Sequence, residues 1–205
     1  MQNLARLVSI LTHPLLMPLL GVYIAYNYDW YINGSLNDEQ IRSVYIVVLI
    51  SSLLFPVLNL LLLRWYGIIT SFSIPARTQR YAPYFSTLFF FSLGYYMLRK
   101  GILPYSIYSI LTGGILTLLF VMLINFSWKI SAHAAGIFSV IGAVIGLFQI
   151  HTFSDIALIS ILILAGGLIM TSRLLLKAHT PSQMYVGAVV GFLTSYCCVY
   201  FGLFI

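Results

Sequence analysis

The 205-residue chain is short of charge. Only 7% of its residues are Asp, Glu, Lys or Arg, and four acidic side chains face ten basic ones. So little charge cannot clothe a water-soluble domain. With 61% hydrophobic residues and a mean hydropathy of +1.01, the composition excludes an ordinary globular protein. Cysteine is equally scarce. Cys197 and Cys198 are adjacent in a final apolar run, which excludes a disulfide framework and a cysteine metal site. Repeats, low-complexity tails and a second compositional block are missing, so the chain reads as one domain, 1–205. The formal charge is +6, but basic residues scattered between apolar blocks form no face for nucleic acid. Membrane lipids and their phosphate head groups are the better anionic partners.

What is abundant is apolar sequence in long runs. A spanning helix needs about 20 mostly apolar residues, and seven segments qualify, at roughly 4–26, 43–66, 84–99, 105–128, 132–150, 156–172 and 183–205. The third is short, and the second is expected to kink at Pro56. The runs lack the alternation of barrel strands. The expected fold is therefore all-α, a polytopic transmembrane bundle of about six to seven spanning helices. Its expected location is a bacterial cytoplasmic (inner) membrane. The first run holds one early cation, Arg6, and contains Pro14 and Pro18 but no small-x-small cleavage site, so it reads as a retained helix. Gly142-xxx-Gly146 and Gly187-xxx-Gly191 read as close-packing faces. Residues 27–42 read as a loop with a turn at Asn33-Gly34.

Counting passes sorts the polar residues. Arg6, Arg64, Arg77, Arg80, Lys129, Arg173 and Lys177 fall on one face, whereas Asp29, Asp38, Glu39 and Asp155 fall on the other. The positive-inside rule would make the first face cytoplasmic. The same cations are candidates for binding substrate, so the side is not assigned from them.

Three clusters share the basic face. In "IPARTQRYAP", Arg77 and Arg80 stand three apart, on one side of a helical turn, where two guanidiniums can grip a phosphate. In "WKISAHAAG", Ser131 is a candidate N-cap, and the small residues after it leave backbone N–H groups open to an anion at a helix start. His133 in that first turn is placed to give a proton to a leaving oxygen. In "SRLLLKAHTPSQ", Arg173 and His179 flank one short loop. A neutral histidine held against phosphorus is a nucleophile, and an arginine beside it neutralises developing charge. His13 and His151 read as structural, and no pair of histidines has metal-ligand spacing.

With these residues in view, the chain resembles the type 2 phosphatidic acid phosphatase (PAP2) superfamily, which also contains vanadium haloperoxidases. That family carries Lys-x6-Arg-Pro, then Pro-Ser-Gly-His, then Ser-Arg-x5-His-x3-Asp. Here the third motif reads Ser172-Arg173, five residues, His179, three residues, Gln183; the second reads Ile130-Ser131-Ala132-His133; the first is echoed by "ARTQRYAP". The motif-bearing part is 77–183. The resemblance implies His179 as a nucleophile forming phosphohistidine and His133 as the general acid. It implies Arg173, Arg80, Ser131 and the backbone at Ala132 as the phosphate cradle.

The departures are specific. Ser73 stands where the family has its lysine, so Arg77 or Lys129 is expected to substitute. Proline follows Arg80 only at Pro83, Ala132 replaces glycine, and two apolar segments separate the first two motifs. Gln183 replaces the aspartate that orients the nucleophile. A glutamine oxygen can accept that hydrogen bond but brings no charge to an imidazolium. Thr180-Pro181-Ser182-Gln183 also fits a capping box, which would turn Gln183 toward the backbone of Thr180; the sequence leaves both uses open.

The implied function is an integral membrane phosphatase for a lipid phosphomonoester or pyrophosphate, of prenyl pyrophosphate, phosphatidate or phosphatidylglycerol phosphate type. Its tail would stay in the bilayer. Arginines and helix N–H groups would supply the positive charge, so neither metal nor cofactor is expected. The alternative is a lipid-phosphate binder or transporter that does not turn over.

Overall fold

A computed structural model describes residues 2–72, 74 and 76–204. Ser73, at the position compared with the lysine of the first motif, lies outside the described residues. The chain is 81% helical, and no strand occurs among the described residues. Among the described residues ten α-helices follow in order: α1 Gln2–Leu11, α2 Met17–Tyr28, α3 Trp30–Ser35, α4 Asp38–Leu49, α5 Phe55–Trp65, α6 Tyr81–Leu98, α7 Tyr105–Ser127, α8 Ala132–Ile150, α9 Ile156–Leu175 and α10 Pro181–Tyr200. Among the described residues six spans are long and apolar enough to cross a membrane: Gln2–Tyr28, Asp38–Trp65, α7, α8, α9 and α10. The chain is a multi-pass membrane protein.

Two of these spans are built from broken helices. The first is interrupted at His13-Pro14, where a 3-10 turn, Pro14–Leu16, joins α1 to α2. His13 caps that turn, its Nδ1 accepting from the Leu15 N–H at 3.3 Å. The second holds a π-helical stretch, Ile50–Leu54, just before Pro56. Proline has no N–H and its ring crowds the carbonyl four residues back. The backbone widens instead, and the Phe55 N–H reaches the Ile50 carbonyl. The expected kink at Pro56 thus takes the form of a π-bulge one turn earlier.

The expected loop 27–42 is largely helical. Asp29 caps α3 by accepting from the N–H groups of Tyr31 and Ile32, so Asn33-Gly34 lies in α3 and makes no turn. Asn37 and Gln40 form a capping box that starts α4 five residues before the expected boundary. Both corrections have one cause: carboxylate and amide caps satisfy first-turn donors that the apolar pattern does not register.

The eighteen-residue α6 packs against α7 and runs alongside it from Arg80 to the Leu98 carbonyl, which accepts from the Tyr108 hydroxyl near the start of α7. The tightest pair is α8 with α10. A Cβ placed on Gly191 would fall 2.0 Å from the Ala135 carbonyl oxygen, and one on Gly187 2.7 Å from that of Ser131. Only glycine permits this approach, which brings the start of α8 against the first turns of α10. On the outside, α9 exposes Ile161, Leu164 and Leu168, and α6 exposes Phe85 and Phe89. Such faces suit hydrocarbon and are wrong for water. Exposed Trp65 and Tyr66 mark one interface, and Trp30 the other.

Candidate functional site

The N-terminal turn of α8 is laid down by Ser131. Its Oγ accepts from the Ala134 N–H at 3.4 Å, and its own N–H donates to the Gln183 carbonyl at 3.2 Å. The two helix starts are thereby tied together, with the N–H groups of Ala132 and His133 left at the α8 start. Arg80, buried at the head of α6, donates from Nε to the Ile74 carbonyl at 3.0 Å and from Nη1 to the Ile130 carbonyl at 3.5 Å. The first and second motifs therefore meet despite the two intervening helices.

Arg173 sits in the last turn of α9, which runs three residues past its expected end. The helix closes with Lys177 in the left-handed region (φ 51°), the Lys177 N–H on the Leu174 carbonyl and the Ala178 N–H on the Arg173 carbonyl. This Schellman-type turn reverses the chain within five residues and brings His179 back toward Arg173. The five-residue spacing has its physical meaning there.

His179 is buried. Its Nδ1 faces Gln183 Oε1 at 3.1 Å, and the same oxygen takes the Thr180 N–H at 3.2 Å. An amide oxygen only accepts and a backbone N–H only donates, so the proton of His179 sits on Nδ1 and Nε2 carries the lone pair. Gln183 performs both jobs that its sequence left open. Burial first, then the charges of Arg80, Arg173 and Lys129, hold His179 down to about 3, against the opposing Gln183 bond. It is neutral at physiological pH. Lys129 is lowered as well, by burial and then by Arg80 and Arg173.

His133 faces another way. Its Nε2 lies 3.1 Å from the Ser9 carbonyl oxygen, which fixes the proton on Nε2, and 3.3 Å from Ser9 Oγ. Arg173 donates from Nη1 to the same hydroxyl at 2.6 Å, while its Nε is buried without a partner. The His13 ring stands edge-on to His133, centroids 5.6 Å apart.

The structure thus gathers Arg80, Lys129, Ser131, Ala132, His133, Arg173, His179 and Gln183 at one end of the bundle. Arg77 is the outlier: its carbonyl accepts from Asn125 at 3.3 Å, and its charge is not among those acting on His179 or Lys129. Two participants escaped the sequence reading. Ser9 lies in a plain amphipathic stretch, and Tyr84, whose side chain lies against the Arg80 guanidinium, looked like one more aromatic in an aromatic-rich helix. A polar residue in an apolar segment was the available signal for Ser9. His151 is remote, its Nδ1 in contact with the Asp29 carboxylate at the opposite end.

Three cations therefore converge with no carboxylate partner among the described residues. No protein-family model, curated protein or solved structure matches this chain.

Proposed function

We propose that the chain is a membrane phosphatase acting on a lipid phosphate or pyrophosphate through a phosphohistidine, in a bacterial cytoplasmic membrane. The observation that carries this reading is the cluster of Arg80, Arg173 and Lys129 around a neutral His179, with no acidic side chain to balance it. Gathering unpaired cations in a half-buried site is unfavourable unless an anion comes from outside. The resemblance to PAP2 phosphatases supports phosphate as that anion.

In the proposed reaction the guanidiniums of Arg80 and Arg173, with the N–H groups at the start of α8, hold the phosphoryl oxygens. His179 Nε2 attacks phosphorus, an N–P bond forms and the P–O bond to the lipid oxygen breaks. His133, doubly protonated in the bound complex, gives that oxygen a proton and is left neutral. Water then attacks phosphorus, His133 takes a proton from it, and the N–P bond breaks to return His179 and release phosphate. Gln183 keeps the proton of His179 on Nδ1 throughout.

A binding or transport role without turnover is favoured by one observation: the Nε2 proton of His133 is engaged by the Ser9 carbonyl. One measurement separates the readings. The protein in nanodiscs is given prenyl pyrophosphate, phosphatidate and phosphatidylglycerol phosphate, and released phosphate is followed for wild type and His179→Ala. Release that His179→Ala abolishes supports the enzyme. Binding of all three without release supports the binder.

A further inference from the structure

Ser9 is buried on α1, the helix that packs against α9. That helix ends at Leu11, and His13-Pro14 is the cause. Pro14 has no N–H to give the Ile10 carbonyl, so the His13 N–H takes that carbonyl at 3.3 Å. In an unbroken helix the His13 N–H would have gone to the Ser9 carbonyl. The break leaves Ser9 with an unclaimed acceptor at a helix end. His133 Nε2 fills it at 3.1 Å.

The hydroxyl of the same residue serves a different partner, accepting from Arg173 Nη1 at 2.6 Å. A serine kept only for packing turns its hydroxyl to the carbonyl four residues back, as Thr12 does to Val8 at 2.7 Å. Ser9 makes no such bond, and its side chain meets only Arg173 and His133. On Arg173, Nη1 is the one guanidinium nitrogen with a hydrogen bond among the described residues, and Nε is buried without a partner. In any guanidinium the Nε–H and one Nη2–H point the same way, as a fork that matches two oxygens of a phosphate. Ser9 holds the edge that this fork does not use.

The carbonyl bond has a consequence for His133. A carbonyl oxygen accepts and never donates, so the proton it engages stays on Nε2. The proton that comes and goes must then be on Nδ1, which makes no hydrogen bond among the described residues. His179 is the reverse, with Nδ1 held by Gln183.

We propose that Ser9 is a positioning residue of the site. Its hydroxyl turns the Arg173 fork toward the phosphoryl oxygens, and its carbonyl pins one proton of His133 so that exchange with substrate runs through Nδ1. This rests on the phosphatase reading for the reaction served. When the lipid oxygen leaves, the Nδ1–H bond breaks, the proton passes to that oxygen and the electron pair stays on Nδ1. A proton from the attacking water later restores the bond. The engaged Nε2 proton is thus part of the acid and no obstacle to it.

The test uses the full chain in nanodiscs as wild type, Ser9→Ala and Ser9→Thr. Ser9→Ala removes the hydroxyl and keeps the carbonyl. Vanadate affinity by calorimetry should fall about tenfold, and Ser9→Thr should restore it to within about threefold. NMR of histidines labelled with heavy nitrogen, assigned with His133→Gln, should show His133 protonated on Nε2 in wild type and in Ser9→Ala alike. Unchanged vanadate affinity in Ser9→Ala, a loss that Ser9→Thr does not restore, or a His133 proton on Nδ1 alone would each overturn the assignment. Neither measurement needs turnover. Both results as expected, without phosphate release from wild type, fail the phosphatase reading and leave Ser9 positioning a binding site. Release whose kcat and KM are indifferent to Ser9→Ala fails the Ser9 assignment alone.

Discussion

His179 and Gln183 are joined through one amide oxygen, which accepts from His179 Nδ1 at 3.1 Å and from the Thr180 N–H at 3.2 Å. The helix cap and the orientation of the proposed nucleophile are therefore a single device. Gln183→Leu removes both, and we expect phosphate release to fall about tenfold or more and stability to drop about 1 kcal/mol. Thr180→Ala removes the Thr180 Oγ half of the cap and leaves the amide oxygen in place. Comparable loss of stability with activity retained would separate the two roles. Gln183→Glu keeps the reach and adds a charge facing Nδ1, and should speed release.

The three arginines should differ sharply. Arg80→Lys and Arg173→Lys each lose a fork that lysine cannot reproduce, and vanadate or phosphate binding measured by calorimetry should weaken about tenfold or more. Arg77→Lys should change it little, because the Arg77 charge does not reach His179. Equal effects from all three would refute the assignment of the cradle.

His179 sets a pH dependence of definite sign. Its pKa is held down to about 3 in the folded chain, against 6.5 for the free side chain. Between those values the unfolded chain binds a proton that the folded one does not, so stability falls as pH drops below about 6.5 and levels off near 3. Thermal unfolding across that range should be less pH-sensitive in His179→Gln. Binding of an anion among the cations should raise the pKa, because it cancels the charges of Arg80, Arg173 and Lys129.

The α8–α10 contact should be intolerant of bulk. At Gly191 a Cβ would meet the Ala135 carbonyl oxygen at 2.0 Å, and a carbonyl cannot rotate aside as a side-chain tip can. Gly191→Ala should cost about 1–3 kcal/mol in detergent melts and lower activity with it, since the same contact seats His133 near His179. Gly167→Ala, with open space, should be neutral or stabilising by up to about 1 kcal/mol.

The apolar runs are decisive for the spans, because a bilayer demands continuous hydrophobic length and a closed backbone, and both are local properties. Chain parity likewise foretells that Arg80, His133, Arg173 and His179 share one end. The capping box at Thr180 and the N-cap at Ser131 were readable for the same reason: each satisfies donors three residues away. The short helix at Trp30–Ser35 was not, because it depends on a carboxylate cap whose other oxygen pairs with His151 far along the chain.

Tertiary packing alone decided the rest. Ser9 meets Arg173 and His133 only because α1 lies against α9, and Gly94 of α6 lies against Ser51 only because the π-helical stretch packs closely on that helix. Periodicity along one helix reports which face is apolar. It carries no information on which distant helix meets that face, or on whether the space between them is filled.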